Sequence, residues 1–307
     1  MTEPCNLAAV IPDKSILFIF IDGLGLEQRI NPRNPVQFLP SEFFNFRQRK
    51  RFPKFRGRGK AINATLGVRG LPQSATGQTT LLTGHNAARL LGRHLNGLPN
   101  NALRELLARE SIFLKLQGRG LKVTFANAYQ PEFFTSPWAR HYVSVSTAAV
   151  MAAGLPLHNI PAVSRNEAVY QEFTNSYLNS KGFQLEIRSP ERAGEVLSEI
   201  AKHHHFTFYE YFISDIVGHM KNWDRAWIEV SKIDGLLRGA CRRFDFKRHT
   251  LLVTSDHGNL EDATRKSHTR NPVPFLALGR GAGKFAASVR SLVDIAPAVL
   301  NYFSIQK

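Results

Sequence analysis

The chain has 307 residues, 43% of them hydrophobic and 21% charged, which suits one large globular domain or a core carrying a smaller insertion. No run approaches 18 consecutive apolar residues, so neither a membrane span nor a membrane partner is expected. A formal charge of +16 favours anionic partners, with phosphorylated small molecules and nucleic acid foremost.

Met1 to Ser15 contain Glu3 and Asp13 and lack an apolar stretch of signal-peptide length, so a cytoplasmic location is expected. Cys5 and Cys241 lie far apart and fit no CxxC or Cys/His spacing, which argues against a disulfide framework and against a thiolate metal site. The first predicted strand is Ser15–Ile21. It runs into Asp22-Gly23-Leu24-Gly25, a turn whose glycines let backbone approach a ligand closely. Pro32, Pro35 and Pro40 and the basic segment after them read as irregular, with room for one short helix. In that segment Arg47, Arg49, Lys50, Arg51, Lys54, Arg56, Arg58 and Lys60 fall within fourteen residues, with Phe52 and Phe55 interleaved and Phe46 just before. Basic residues alternating with aromatics can track a phosphate backbone and stack bases. The same run also suits a solvated loop that keeps the protein soluble.

Gln73 to Leu82 reads as a loop entering a helix, with Ser74 or Thr76 near its first turn. Asn101–Gln117 predicts one or two helices, and Lys122–Ala126 a strand. From Tyr129 to Glu186 the pattern shifts to Pro, Ser and aromatic residues, with short helical stretches near Thr147–Ala153 and Asn166–Phe173. This places an inserted cap at 129–186 and a core at 1–128 and 187–307. The helix–strand rhythm resumes with helix Glu191–Lys202, strand Phe206–Ile213, helix Trp223–Phe244, strands Thr250–Thr254 and Pro274–Leu278, and helix Leu292–Phe303. The alternation predicts an α/β fold, a mostly parallel central sheet with helices on both faces plus a small inserted cap.

Three apolar runs end in residues that bind divalent metals: Asp22, then Asp215 with His219, then Asp256 with His257; His268 follows just beyond. An Asp at a strand end is commonly a cap or turn residue, so each pair alone says little. In open α/β sheets, however, ligands gather outside the carboxyl ends of the strands, and three strands delivering such residues to one edge suggest one shared site. Asp215 and His219, four apart, fall on one face if the chain turns helical there. His203-His204-His205 precedes a strand at the opposite edge and reads as a solvated cluster.

Four segments carry a family resemblance: Phe18-Ile19-Phe20-Ile21-Asp22-Gly23, Gln73-Ser74-Ala75-Thr76-Gly77-Gln78-Thr79, Asp215-Ile216-Val217-Gly218-His219, and Thr254-Ser255-Asp256-His257-Gly258-Asn259 continuing to Lys266-Ser267-His268-Thr269. In this order the chain resembles the alkaline phosphatase superfamily, in the metalloenzyme branch of cofactor-independent phosphoglycerate mutase and phosphopentomutase. The 129–186 region matches neither mutase. The resemblance implies two divalent ions, Zn²⁺ or Mn²⁺, one held by Asp22, Ser74, Asp256 and His257 and the other by Asp215, His219 and His268. It implies Ser74 as nucleophile, with Thr76 the fallback. Arg89, Arg93 and His94 follow the nucleophile helix and suit either contact with phosphoryl oxygens or a solvated helix end. Asn127 and Tyr129 could read the rest of a substrate, though a structural role suits them better. The expected activity is a two-metal phosphatase or phosphodiesterase working through phosphoserine on a small phosphorylated metabolite or nucleotide. A phosphopentomutase-type mutase is the alternative, and a nucleic-acid-binding protein using the 47–60 segment is a third.

Overall fold

The computed structural model describes residues 12–304; Cys5 and most of the leading segment read for location, residues 1–11, lie outside them. Ten strands form two sheets among these residues: β1 (Ile16–Ile21), β2 (Arg49–Phe52), β3 (Gly57–Ile62), β4 (Val123–Phe125), β5 (Asn127–Tyr129), β6 (His158–Asn159), β7 (Val169–Tyr170), β8 (Phe206–Tyr211), β9 (Thr250–Thr254) and β10 (Val273–Gly279). The main sheet has the order β2-β3-β10-β9-β1-β8-β4. Its β9-β1-β8-β4 half is parallel.

The composition of β1 explains its central place. Ile16, Phe18 and Phe20 enter one core with Phe206 and Phe208, whereas Leu17, Ile19 and Ile21 enter a second with Tyr209, Leu251 and Val253. A strand apolar on both faces must be covered on both. Helices Ser74–Thr83, Asn101–Glu110, Val145–Ala152 and Ile295–Phe303 bring residues to the first core, and Pro190–Lys202 and Trp223–Arg242 to the second. Those last two cross closely at glycines: a Cβ on Gly194 would sit 2.0 Å from the Leu236 carbonyl oxygen, and one on Gly239 1.9 Å from that of Glu191.

Three elements differ from the sequence reading. The basic segment is not irregular; β2 and β3 form an antiparallel hairpin at the sheet edge, joined by a short 3₁₀ turn at Pro53–Phe55. Phe52 and Phe55 are its anchors, buried beside Phe43, which removes them from base stacking. Strand β10 runs antiparallel to both β9 and β3. A parallel return needs a crossover, usually a helix, and the chain between β9 and β10 is taken up by turns instead. Asn166–Phe173 is not helical: it contains β7, and the helix lies earlier, at Ile160–Ser164.

From the 129–186 region, β6 and β7 flank β5, which starts just before it, in a small parallel sheet over a cluster that includes Ala128, Ile160, Val163, Tyr170 and Leu178. The Val145–Ala152 helix belongs instead to the first main core, through Val145, Ala149 and Val150. Among the described residues no helix is long and apolar enough to cross a membrane.

Candidate metal centre

Parallel register brings the carboxyl ends of β1, β8 and β9 level, with Ile21 opposite Tyr211 and Phe20 opposite Thr254. The next residues leave the sheet together. Asp22 donates its backbone N–H to the Tyr211 carbonyl at 2.8 Å, and Ser214 Oγ donates to the Asp22 carbonyl at 2.6 Å. Asp215 sits in the first turn of helix Ile213–Gly218. Asp256 and His257 follow β9 in a tight turn. Gly23 adopts φ +72°, and a Cβ there would lie 2.6 Å from Asp215 Oδ1, so the turn after β1 both needs and exploits glycine. Ser74 opens the helix that follows the loop from β3.

The seven residues assigned to the two ions converge. Ser74 Oγ is 2.9 Å from His257 Nε2. That nitrogen lies 3.3 Å from Asp22 Oδ1 and 3.5 Å from Asp256 Oδ2. Asp215 joins the two halves: its Oδ1 is 4.0 Å from His257 Nδ1 and 3.5 Å from His268 Nε2, and its Oδ2 is 3.2 Å from His219 Nε2. Two groups therefore offer ligand atoms mutually within 4.8 Å, Asp22–Asp215–His257 and Asp215–His219–His268.

The donor chemistry fits cations. Among the described residues Asp22 Oδ1, Asp256 Oδ2 and His257 Nδ1 are buried without a hydrogen-bond partner, a costly state for ionisable groups unless something else binds them. Burial first, then the Asp256 and Asp215 carboxylates, holds Asp22 well above the usual carboxylate range. Burial, then Asp215, pushes Asp256 up to about 8. Burial, then His268, drives His257 well below the ordinary imidazole value, which keeps it neutral and able to ligate. His219 Nδ1 and His268 Nδ1 face the carbonyls of Lys266 and Pro72 at 2.6 and 2.8 Å, an arrangement that sets the proton on Nδ1 and the lone pair on Nε2. Those two Nε2 atoms are 3.2 Å apart, and two lone pairs at that distance are reconciled by a shared cation.

The remaining residues divide. Thr76 is fully buried; its hydroxyl donates to the Gln73 carbonyl and accepts from Leu95 N–H, so it serves the helix start. Arg89 and Arg93 are exposed and form no hydrogen bond or ion pair with the cluster. His94 lies nearer: both ring nitrogens are buried without a partner among the described residues, and its charge would weigh on His257. Asn127, a candidate for substrate contact, commits both ends of its amide to the Glu210 backbone, at 2.7 and 2.8 Å. Tyr129 donates to or accepts from Thr147 Oγ1 at 2.6 Å. His204 and His205 bind nearby backbone rather than forming a site.

Several supporting residues escaped the sequence reading. Gln78 donates to Asp22 Oδ2 at 2.9 Å, and Asn259 to Asp215 Oδ1 at 2.7 Å. Glu261 is fully buried and accepts from Gly25 N–H at 2.9 Å, Asn259 N–H at 2.7 Å and Thr269 Oγ1, one group from each of three ligand-bearing loops. Glu210 carries the signal that could have been caught, a lone carboxyl inside the apolar run of β8. It shares the Phe20 side of the sheet and is held by the Ser144 and Ser146 hydroxyls. Burial pushes it up to about 7.

The sequence model described as the Metalloenzyme superfamily matches residues 14–307. The 2,3-bisphosphoglycerate-independent phosphoglycerate mutase of Legionella pneumophila (strain Corby) is 32% identical over 130 residues, 40% of this chain and 25% of that protein. The enzyme of the same name from Clostridium perfringens (strain SM101 / Type A) is 28% identical over 196 residues, 58% and 38% of the two chains. The chain thus spans well under half the length of these curated relatives. Among solved structures, alkaline phosphatase from the Antarctic bacterium TAB5 overlays with a TM-score of 0.54 at 13% identity, covering 95% of this chain and 98% of that one. The PH0037 protein of Pyrococcus horikoshii overlays at 0.53 and 14%, with the same coverage. At such identities these overlays establish shared fold alone.

Proposed function

The chain belongs to the Metalloenzyme superfamily, and from that membership and the geometry above we propose that it is a two-metal phosphoesterase. Its substrate is a small phosphorylated metabolite or nucleotide, and Ser74 is the nucleophile. The observation that carries this reading is the Ser74 hydroxyl 2.9 Å from His257, inside a ring of carboxylates and imidazoles with unmatched buried atoms.

Asp22, Ser74, Asp256 and His257 would hold one ion, and Asp215, His219 and His268 the other. Two bound divalent ions, Zn²⁺ or Mn²⁺, would ease ionisation of the serine hydroxyl and offset charge on the phosphoryl and leaving oxygens. Ser74 Oγ attacks phosphorus in line, the ester P–O bond breaks, and a phosphoserine forms. Water then attacks the phosphoserine and releases phosphate. Ser74 is the first residue of a ten-residue helix whose N-terminus has no side-chain cap. Its first-turn N–H groups are thereby free to meet phosphoryl oxygens, and the helix dipole favours their charge.

The mutase reading has the curated relatives' names in its favour. A mutase must shield phosphoserine from water while its substrate turns over, which calls for a closing cap. Residues 129–186 are our proposed cap, yet the Val145–Ala152 helix is buried in the main core, which favours hydrolysis. The test is to supply metal-loaded protein with a panel of phosphorylated compounds, a sugar 1-phosphate among them, beside the Ser74→Ala variant. Free phosphate from wild type alone supports the proposal. An isomeric sugar phosphate without free phosphate makes it a mutase, and equal rates in both proteins remove Ser74.

A further inference from the structure

The β2–β3 hairpin sets like charges directly opposite one another. Arg49 pairs with Lys60 and Arg51 with Arg58, an arrangement that destabilises a sheet unless something anionic offsets it. Arg58 and Lys60 alternate with buried Gly57 and Gly59, so all four cations share the face opposite the Phe52 anchor. With Arg290 and the small residues Ala286 and Ala287 they line a groove of about 600 Å³. None of Arg49, Arg51, Arg58, Lys60 or Arg290 forms an ion pair among the described residues. Asp294 is the neighbouring acid, and its carboxylate already accepts the N–H groups of Arg290 and Ser291. Lys60 donates to the Ala286 carbonyl at 3.1 Å, which fixes it across the groove.

We propose that this groove binds the sugar–phosphate backbone of a nucleic acid, independently of base sequence. Its cations recur every second residue along each strand, about 6.7 Å apart, so they present a row of contacts rather than a pocket for one anion. Guanidinium groups suit phosphodiester oxygens, which they bind bidentately. The aromatics that could have read or stacked bases are buried on the other side, so recognition rests on charge and spacing. Strand β3 also runs toward the sheet edge that bears the metal centre, and the loop after it leads to Ser74. The inference goes beyond the phosphoesterase reading and does not depend on it.

The test measures anisotropy of short fluorescein-labelled DNA and RNA oligonucleotides of mixed sequence across a salt series. Wild type is compared with Arg49→Thr/Arg51→Thr/Arg58→Thr, three exposed strand positions where threonine is well tolerated. Five phosphate contacts predict a log–log salt slope of about −3.5 for single strands, and the triple variant should lose about 2 of it. Circular dichroism and Tm should match wild type, which shows that the variant is folded. No binding at about 50 mM salt, or an unchanged slope in the variant, overturns the proposal. So does binding of inorganic polyphosphate when neither DNA nor RNA binds.

Discussion

Ser74 and His257, 183 positions apart in the chain, meet at 2.9 Å between Oγ and Nε2. That contact joins a helix start to the turn after β9, and it puts a hydroxyl in the same ring as the carboxylates.

Removing the hydroxyl tests its role directly. Ser74→Ala should lower phosphate release by at least about 10³-fold while circular dichroism stays unchanged. Thr76→Ser should retain most of the activity, because it keeps the hydroxyl that bonds Gln73 and Leu95. Steady-state rates for the two proteins, measured side by side, decide it.

Asp215 appears in both ligand groups, unlike His219, which appears in one. Asp215→Asn should therefore deplete the ion it holds and weaken the other, and His219→Ala chiefly one. Elemental analysis of dialysed protein reads the stoichiometry, and equal losses in the two variants would contradict the shared placement.

Chelation should destabilise the fold, because Asp22 and Asp256 then keep unmatched buried oxygens. An ion at 100 times its Kd contributes about 2.7 kcal/mol, which in a chain of 307 residues corresponds to a fall of roughly 4 °C in Tm on its removal. Calorimetry with and without EDTA measures it, and an unchanged Tm would argue against a resident ion.

Gly23→Ala should cut metal content and activity at least tenfold, since a methyl at φ +72° would collide with Asp215 Oδ1. Gly283→Ala is the control, because a Cβ there meets nothing within 4 Å. Similar losses in both variants would show that the effect is not local to Asp215.

Glu210 gives a pH signature. Its folded value of about 7 lies above the ordinary 4.5, so between those values the folded state holds a proton that the unfolded state has released. Its contribution to stability falls as pH rises through that window, by up to about 3 kcal/mol, and is level above it. Glu210→Gln removes that share of the dependence, leaving the shares of Asp22 and Asp256, and should be the more stable protein at pH 8, with the gap closing toward pH 4.5. Urea titrations of metal-free protein across that range are the measurement, and parallel curves would sink the assignment.

The ligand-bearing turns stood out in the sequence because each closes an apolar run, and parallel register makes such ends level. β1, β8 and β9 were readable for the same reason, being apolar on both faces. The hairpin was not, since Arg49 opposite Lys60 and Arg51 opposite Arg58 break the pairing preferences by which strands are recognised. The direction of β10 was hidden as well, because its composition suits a buried strand of either sense. Supporting contacts from Gln78, Asn259 and Glu261 are invisible to spacing rules: each depends on where a distant loop returns.

Because Glu261 gathers Gly25, Asn259 and Thr269 onto a single carboxylate, the ordering entropy of those loops is met when the chain folds. Ion capture would then require little rearrangement, and the cavity would select among metals by its existing dimensions. Loosening that hub would leave every ligand in place chemically and yet blunt the discrimination between one cation and another.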